Sequence, residues 1–299
     1  MISVIMSYYL LPKINHNIEI EFNKREYKFP FISESLYSQF IFLNMQLDKL
    51  IKQKNKKIEI MDSYYFLYKN ATDTSNCVSK LRFSNSIFYQ FIEINTNINL
   101  KSLFTQDKLS IFIDCDFSLD IQESVKFIYD KPSSFILNDF NNTSTYDYII
   151  LNKCDEQNIV KDYYNKIIFM INKLNKSGVL VVRINDIFNK SSVDMIYILL
   201  NIFEKSYIFR PTTTPFYRFE KYIICKGYLN DQNPVLEPNP KKDDYTSFLK
   251  NNIPTYLLNK LNDINIITGQ KMLENYMSII QLLNSNNDSN KLDIFDKLN

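Results

Sequence analysis

The stretch that decides the fold is Ser206-Tyr-Ile-Phe209, then Arg210-Pro-Thr-Thr-Thr-Pro-Phe-Tyr-Arg-Phe219, then Glu220-Lys-Tyr222-Ile-Ile-Cys225. Two apolar runs, Ser206–Phe209 and Tyr222–Cys225, read as strands. The connection between them is short and carries Pro211 and Pro215. It cannot hold the crossover helix that a parallel pair needs, so the two strands pair antiparallel.

Toward the N-terminus the pattern changes. Apolar runs at Ser110–Cys115, Ser134–Leu137, Tyr148–Leu151 and Val179–Ile184 alternate with helical patterns at Ile121–Ile128, Ile159–Leu174 and Val193–Phe203. Strands that are apolar throughout, alternating with helices, predict an α/β sheet covered on both faces. Earlier still, Leu36, Phe40, Leu43, Leu47, Leu50 and Ile51 recur at helical spacing. They predict a helix over Ser35–Lys57 whose lysine-rich end suits the helix dipole.

Toward the C-terminus, Leu229–Asp244 holds Pro234, Pro238 and Pro240 and reads as a connecting segment. Two helices are expected beyond it, Ile253–Leu261 and Ile264–Leu283, before an Asn/Ser/Asp-rich tail that should fray. The expected organisation is an N-terminal extension (1–80), an α/β core (81–228), a linker with C-terminal helices (229–284) and a disordered tail (285–299).

Composition narrows the function classes. Of 299 residues, 45% are hydrophobic and 23% charged, the balance of a soluble globular chain. The 3 glycines exclude a low-complexity or collagenous chain, and a net charge of +2 gives no global argument for a phosphate binder. A single alanine (Ala71), no Trp, and abundant Lys, Asn and Ile point to an AT-rich coding bias, which drains functional meaning from Lys and Asn counts. Cys77, Cys115, Cys154 and Cys225 and the one histidine, His16, lack metal-ligand spacing, so no metal site is expected. The cysteines read as buried reduced thiols of a reducing compartment. No run approaches the roughly 20 apolar residues of a membrane span.

Within this frame, several segments resemble FtsJ-type RNA ribose 2′-O-methyltransferases. Tyr146-Asp-Tyr-Ile-Ile-Leu-Asn152 is similar to the strand that ends in that family's catalytic Asp. Gly178-Val-Leu-Val-Val-Arg183 is similar to the next strand, which ends in a catalytic Lys. Phe203–Pro211 resembles the strand and Pro that follow, and Phe219-Glu220-Lys-Tyr-Ile-Ile-Cys-Lys-Gly-Tyr228 the closing strand with its catalytic Glu. Phe88-Tyr-Gln90-Phe-Ile-Glu93 resembles the early helix that supplies a second Lys. The likeness covers about half the chain. It implies a Rossmann-like methyltransferase fold, a mostly parallel sheet ending in an antiparallel hairpin, with helical extensions at both ends.

The family's Lys-Asp-Lys-Glu set deprotonates a ribose hydroxyl and aims it at a sulfonium methyl group. Here the positions read Gln90, Asn152, Arg183 and Glu220. Gln and Asn do not ionise, and Arg stays protonated. Arg183 is free to pair with Glu220 as a structural ion pair. Thr214-Pro215 stands where the family has Ser-Arg. The cofactor turn, Pro-Gly-Gly in active members, is also lost. Asp114, Asp116, Ser118 and Asp120 occupy that loop, and no glycine precedes Gly178. Their side chains are expected to fill the space of the methionine moiety, so the resemblance implies neither catalysis nor a bound cofactor.

The same pattern of losses resembles the small, non-catalytic subunit of poxvirus mRNA-capping enzyme. The ends are loosely similar too, at Tyr9-Leu-Leu-Pro12, Asn17–Ile20 and Phe31–Tyr37, and at Asn252–Asn262 before a long helix. That resemblance implies a heterodimer with the large catalytic capping subunit, allosteric stimulation of its guanine-N7 methyltransferase, and a role in viral transcription termination and initiation. It also implies indirect association with RNA or viral RNA polymerase, no membrane, and a cytoplasmic viral factory or virion location. Two alternatives remain open at this level. One is an active cap 2′-O-methyltransferase with an atypical site. The other is a non-catalytic RNA-binding module with a basic face of Lys52, Lys54, Lys56, Lys57, Arg183 and Arg218.

Overall fold

The computed structural model describes residues 8–24, 27–54, 85–97, 99, 102, 108–129, 131–155, 157–229 and 245–284. Lys56, Lys57, Cys77, most of the expected linker and the expected tail lie outside them. The strands are β1 (Tyr8–Leu10), β2 (Ile20–Asn23), β3 (Leu109–Asp114), β4 (Ser133–Leu137), β5 (Tyr146–Leu151), β6 (Leu174–Ile184), β7 (Phe203–Phe209), β8 (Lys221–Tyr228) and β9 (Ser247–Leu249). The helices are α1 (Glu34–Lys54), α2 (Ser86–Asn97), α3 (Ser118–Ile128), α4 (Ile159–Lys173), α5 (Lys190–Ile202) and α6 (Thr255–Asn284).

Seven strands form one sheet in the order β1-β7-β8-β6-β5-β3-β4. β3 is parallel to β4 and β5, and β5 to β6. β8 runs antiparallel to both β6 and β7, inserted between them with Arg183 opposite Tyr222. A parallel sheet with one reversed strand slotted between its last two is the Rossmann-like methyltransferase arrangement, and the Ser206–Cys225 hairpin is where that reversal is made.

Period-two alternation divides the strands between two cores. Phe112, Ile149, Leu151, Leu180 and Val182 face α4 and α5, where they meet Tyr164, Ile167, Ile196 and Leu199. Ile111, Ile113, Ile150, Val179 and Val181 face α2 and α3, where they meet Phe91, Ile94, Ile121 and Val125. Every residue of α5 is buried, because a further layer covers its outer side. That layer includes the two-stranded β2–β9 sheet. Asp194 of α5 anchors it, accepting hydrogen bonds from Ser247 Oγ (2.6 Å) and Phe248 N (3.2 Å).

Two features differ from the sequence reading, and a third was not read from the sequence. Tyr8–Leu10 forms a strand that pairs with β7 and extends the sheet. The two expected C-terminal helices are one, α6, which continues through Asn262 and Asn265. These polar residues interrupt the apolar pattern because they hold the N-terminal segment: Ser33 Oγ donates to Asn262 Oδ1 (2.7 Å), and Asn265 Nδ2 donates to Ser33 Oγ (3.1 Å). Thirdly, α1 packs closely along α6. Gly269 sits mid-helix because a Cβ there would come within 2.6 Å of Leu36 Cδ2. Phe40 of α1 reaches the sheet side through Phe219, which in turn packs on Phe188.

Candidate functional site

Beyond the C-terminal ends of β3, β5 and β6 lies a cleft of about 820 Å³. The rule for α/β sheets places ligands at this edge. Gln90 reaches it from α2, Asn152 from the residue after β5, Arg183 from β6 and Glu220 from the residue before β8. All four line the cleft, so the structure brings together the four positions selected from sequence.

Their contacts are specific. Tyr222 Oη lies 2.7 Å from Gln90 Oε1 and 3.1 Å from Asn152 Oδ1. One phenolic proton serves one of these oxygens, so the other amide presents its NH₂ group to the phenol. Asn152 also contacts Cys115 Sγ at 3.1 Å. Burial holds the Tyr222 phenol well above its ordinary pKa, and Glu220 adds to this. The result is a buried neutral chain, Gln90–Tyr222–Asn152–Cys115. Beside it, Arg183 Nη2 lies 2.8 Å and Arg218 Nη1 3.6 Å from Glu220 Oε2. The Arg183–Glu220 ion pair suggested by the sequence is therefore formed, and two guanidinium groups neutralise the one carboxylate of the four. Arg183→Met should lower stability by about 2 kcal/mol, because it strips the buried carboxylate of its nearer partner. Chemical denaturation would check this, an unchanged midpoint showing that Arg218 suffices.

The loop after β3 behaves differently from expectation. Its side chains line the cleft rather than fill it. Phe117 points outward, 49% exposed. Asp114 and Asp116 line the cleft; Ser118 and Asp120 lie in the first turn of α3, outside its lining. Part of the loop backbone is satisfied internally. Asn138, in the left-handed region at φ 54°, accepts from Cys115 N (2.9 Å) and donates to Cys115 O (3.1 Å), and Phe117 N donates to Cys115 Sγ (3.3 Å).

Asp114 is the buried carboxylate of this loop. Burial pushes its pKa up to about 6, opposed by Lys153 and Lys166. Between pH 4 and 6 the folded chain therefore holds a proton that the unfolded chain has released. Stability attributable to Asp114 falls as pH rises through that window. Asp114→Asn should raise stability at pH 7 by about 2 kcal/mol and have little effect near pH 4. Urea unfolding at the two pH values tests it, and an equal effect at both would refute the assignment.

Sequence reasoning missed Tyr222, Asn138 and Glu93. A two-residue step along the chain from Glu220 would have flagged Tyr222 as sharing its face. Glu93 lies one helical turn beyond Gln90. Its carboxylate accepts from the backbone N–H and hydroxyl groups of both Thr212 and Thr213, at 2.6–3.0 Å. This clamp fixes the loop that leads to Glu220. Arg210 Nη2 fixes it from the other side, donating to Pro215 O and Arg218 O, both at 3.2 Å. Of the suggested basic face, Arg183 and Arg218 line the cleft, whereas Lys52 lies on α1 away from it; the side chains of Lys54, Lys56 and Lys57 are outside those described. Among the described residues no His/Cys/Asp/Glu group could hold a metal ion, and no helix is long and apolar enough to cross a membrane. Cys115 and Cys225 are buried thiols and Cys154 is partly buried.

The strand order defines the fold as Rossmann-like and methyltransferase-like. No protein-family model matches it. It is 31% identical over 78 residues to cap-specific mRNA (nucleoside-2′-O-)-methyltransferase 2 of Drosophila melanogaster, a match covering 26% of this chain and 11% of that protein. It is 22% identical over 257 residues to an uncharacterized protein of Acanthamoeba polyphaga mimivirus, covering 85% of this chain and 68% of that one. Among solved structures it is similar to phosphoethanolamine N-methyltransferase 2 of Haemonchus contortus, with TM-score 0.32, 14% identity, and 48% and 38% of the two chains covered. It is also similar to an O-methyltransferase family protein of Burkholderia thailandensis, with TM-score 0.27, 9% identity, and 50% and 60% covered. The fold assignment rests on the strand order.

This fold class implies S-adenosylmethionine, and the residues present do not fit it. The amino-acid end of that cofactor needs a close-approaching, donor-rich turn for its carboxylate. The loop offers instead the Asp114 and Asp116 carboxylates and two N–H groups already engaged at Cys115 and Phe117.

Proposed function

We propose that this chain is a catalytically silent, methyltransferase-fold regulatory subunit of a viral mRNA-capping enzyme. It binds the large catalytic subunit and stimulates its guanine-N7 methyltransferase by favouring the active conformation. The observation that carries the reading is the engagement of all four vestigial positions: Gln90 and Asn152 on Tyr222, Arg183 on Glu220. Gln90, Asn152 and Arg183 cannot accept a proton from a ribose hydroxyl, and the Glu220 carboxylate is committed to Arg183 and Arg218. The likeness to a cap-specific methyltransferase supports a capping context, and the mimivirus relative supports a viral one. A cytoplasmic viral factory would be its place of action, and roles in viral transcription termination and initiation belong to the same reading. The open cleft and the 31% match favour one second reading, an active cap 2′-O-methyltransferase with an atypical site.

Thermal melting with millimolar S-adenosylmethionine or S-adenosylhomocysteine separates the two. Ligand at about 100 times its dissociation constant would add about 2.7 kcal/mol, a rise of several degrees. The regulatory reading expects no shift, and co-purification with a guanine-N7 methyltransferase subunit. A clear rise would make the active methyltransferase the better account.

A further inference from the structure

We propose that the Asp114 end of the cleft receives a lysine side chain of a partner polypeptide, clasped by the apolar rim around it. This rests on the regulatory-subunit reading and names the chemistry of its contact. The Asp114 side chain is 7% exposed and lines the cleft, yet its Oδ1 accepts no hydrogen bond. Its nearest cation, Lys153 Nζ, stands 3.8 Å away and sits closer to Asp116, at 3.3 Å. Asp162 acts on Asp114 from the same end, and Lys166 serves Asp162 at 2.7 Å. Three carboxylates, Asp114, Asp116 and Asp162, thus share two ammonium groups. A buried carboxylate with one oxygen unbonded and its nearest ammonium at 3.8 Å is under-satisfied, and a third ammonium with its three N–H groups would relieve it.

The rim distinguishes a polypeptide from a free amine. Phe117 and Phe140 line the cleft half-exposed. Phe140 is held edge-on by Phe112 and Phe169, at ring separations of 5.2 and 4.9 Å, which keeps it rigid. A charged pit inside an apolar ring suits an anchor residue at the centre of a protein interface, its aliphatic stem packed on the rings and water excluded around it. The acidic end disfavours the phosphates of RNA.

The test uses the full chain, labelled with ¹⁵N, and three probes. These are an acetylated Gly-Phe-Lys-Phe-Gly amide, the same peptide with norleucine for lysine, and S-adenosylhomocysteine. The lysine peptide should shift the Cys115 and Phe117 amide signals saturably. The norleucine peptide should bind about tenfold more weakly or worse, and Asp114→Asn should erase the difference between the peptides. Asp114→Asn is expected to be more stable than the parent, so loss of binding would not reflect unfolding. Equal shifts from both peptides, or none, would overturn the lysine anchor and leave the regulatory reading standing. Saturable binding of S-adenosylhomocysteine would overturn the reading and the anchor with it. Displacement of the lysine peptide by an RNA oligonucleotide at the same amides would also overturn the anchor.

Discussion

Replacing Asp194 with alanine should lower the unfolding free energy by about 4 kcal/mol. Asp194 has no exposed surface. Its carboxylate pairs with Lys190 one turn earlier in α5, and accepts from Ser247 Oγ and Phe248 N of β9. Burial raises its pKa, and Lys190 and the donors from β9 oppose the rise. Alanine removes every one of these contacts and strands an ammonium whose side chain is only 8% exposed. That ammonium would keep Ser247 Oγ at 3.5 Å and the rings of Tyr27 and Phe31, at 5.4 and 5.7 Å. Breaking one half of a buried pair is far more damaging than replacing both halves. Asp194→Leu with Lys190→Met should therefore recover most of the loss. Urea midpoints of the single and double variants check this. A double variant as unstable as the single would mean that the hydrogen bonds to β9, rather than the stranded charge, carry the effect.

Lys221→Met should do the opposite, raising stability by about 3 kcal/mol at neutral pH. Lys221 has no exposed surface and donates to Phe219 O at 3.2 Å. Burial and the nearby Arg210 push its pKa down to about 7, with Asp186 opposing. The unfolded lysine titrates near its ordinary value of about 10.4. From pH 7 to that value the unfolded chain binds a proton that the folded chain has given up, so stability contributed by this group rises with pH. Below pH 7 the penalty is present in full. Parent and variant should differ most at pH 6–7 and converge toward pH 10. A difference that does not change with pH would show that methionine acts through packing rather than through loss of the charge.

The fold was legible because its signals are local. Apolar runs mark β3 to β8, and the proline-bearing connection at 210–219 announces the reversal of β8 from a few adjacent residues. The four cleft positions were legible by the order in which they follow those strands. What escaped depends on partners far along the chain. Nothing within Tyr8–Leu10 says that its mate is β7, and Ser247 gives no local sign that it meets Asp194. The gap left between Leu261 and Ile264 looked like a helix break because the partner of Asn262, Ser33, lies far away in the sequence. The β3 loop was read by side-chain volume alone. Its actual course is set by Asn138, whose amide holds Cys115 and lets Phe117 turn outward.

The interlocking of the two chain ends has a consequence in time. β1 waits for β7, β2 for β9 and α1 for α6, so these N-terminal elements have no mates until the C-terminal third of the chain is made. At a synthesis rate of about 5–20 residues per second, α1 leaves the ribosome roughly ten to fifty seconds before α6 can cover it. During that interval Leu36, Leu47 and Ile51 face water or a chaperone. The α/β core between the ends can condense first, and its assembly brings the two late-joining segments to the same side. During synthesis, the N-terminal layer can therefore close only after the C-terminal third has emerged, and until then its apolar face is a surface on which nascent chains can associate.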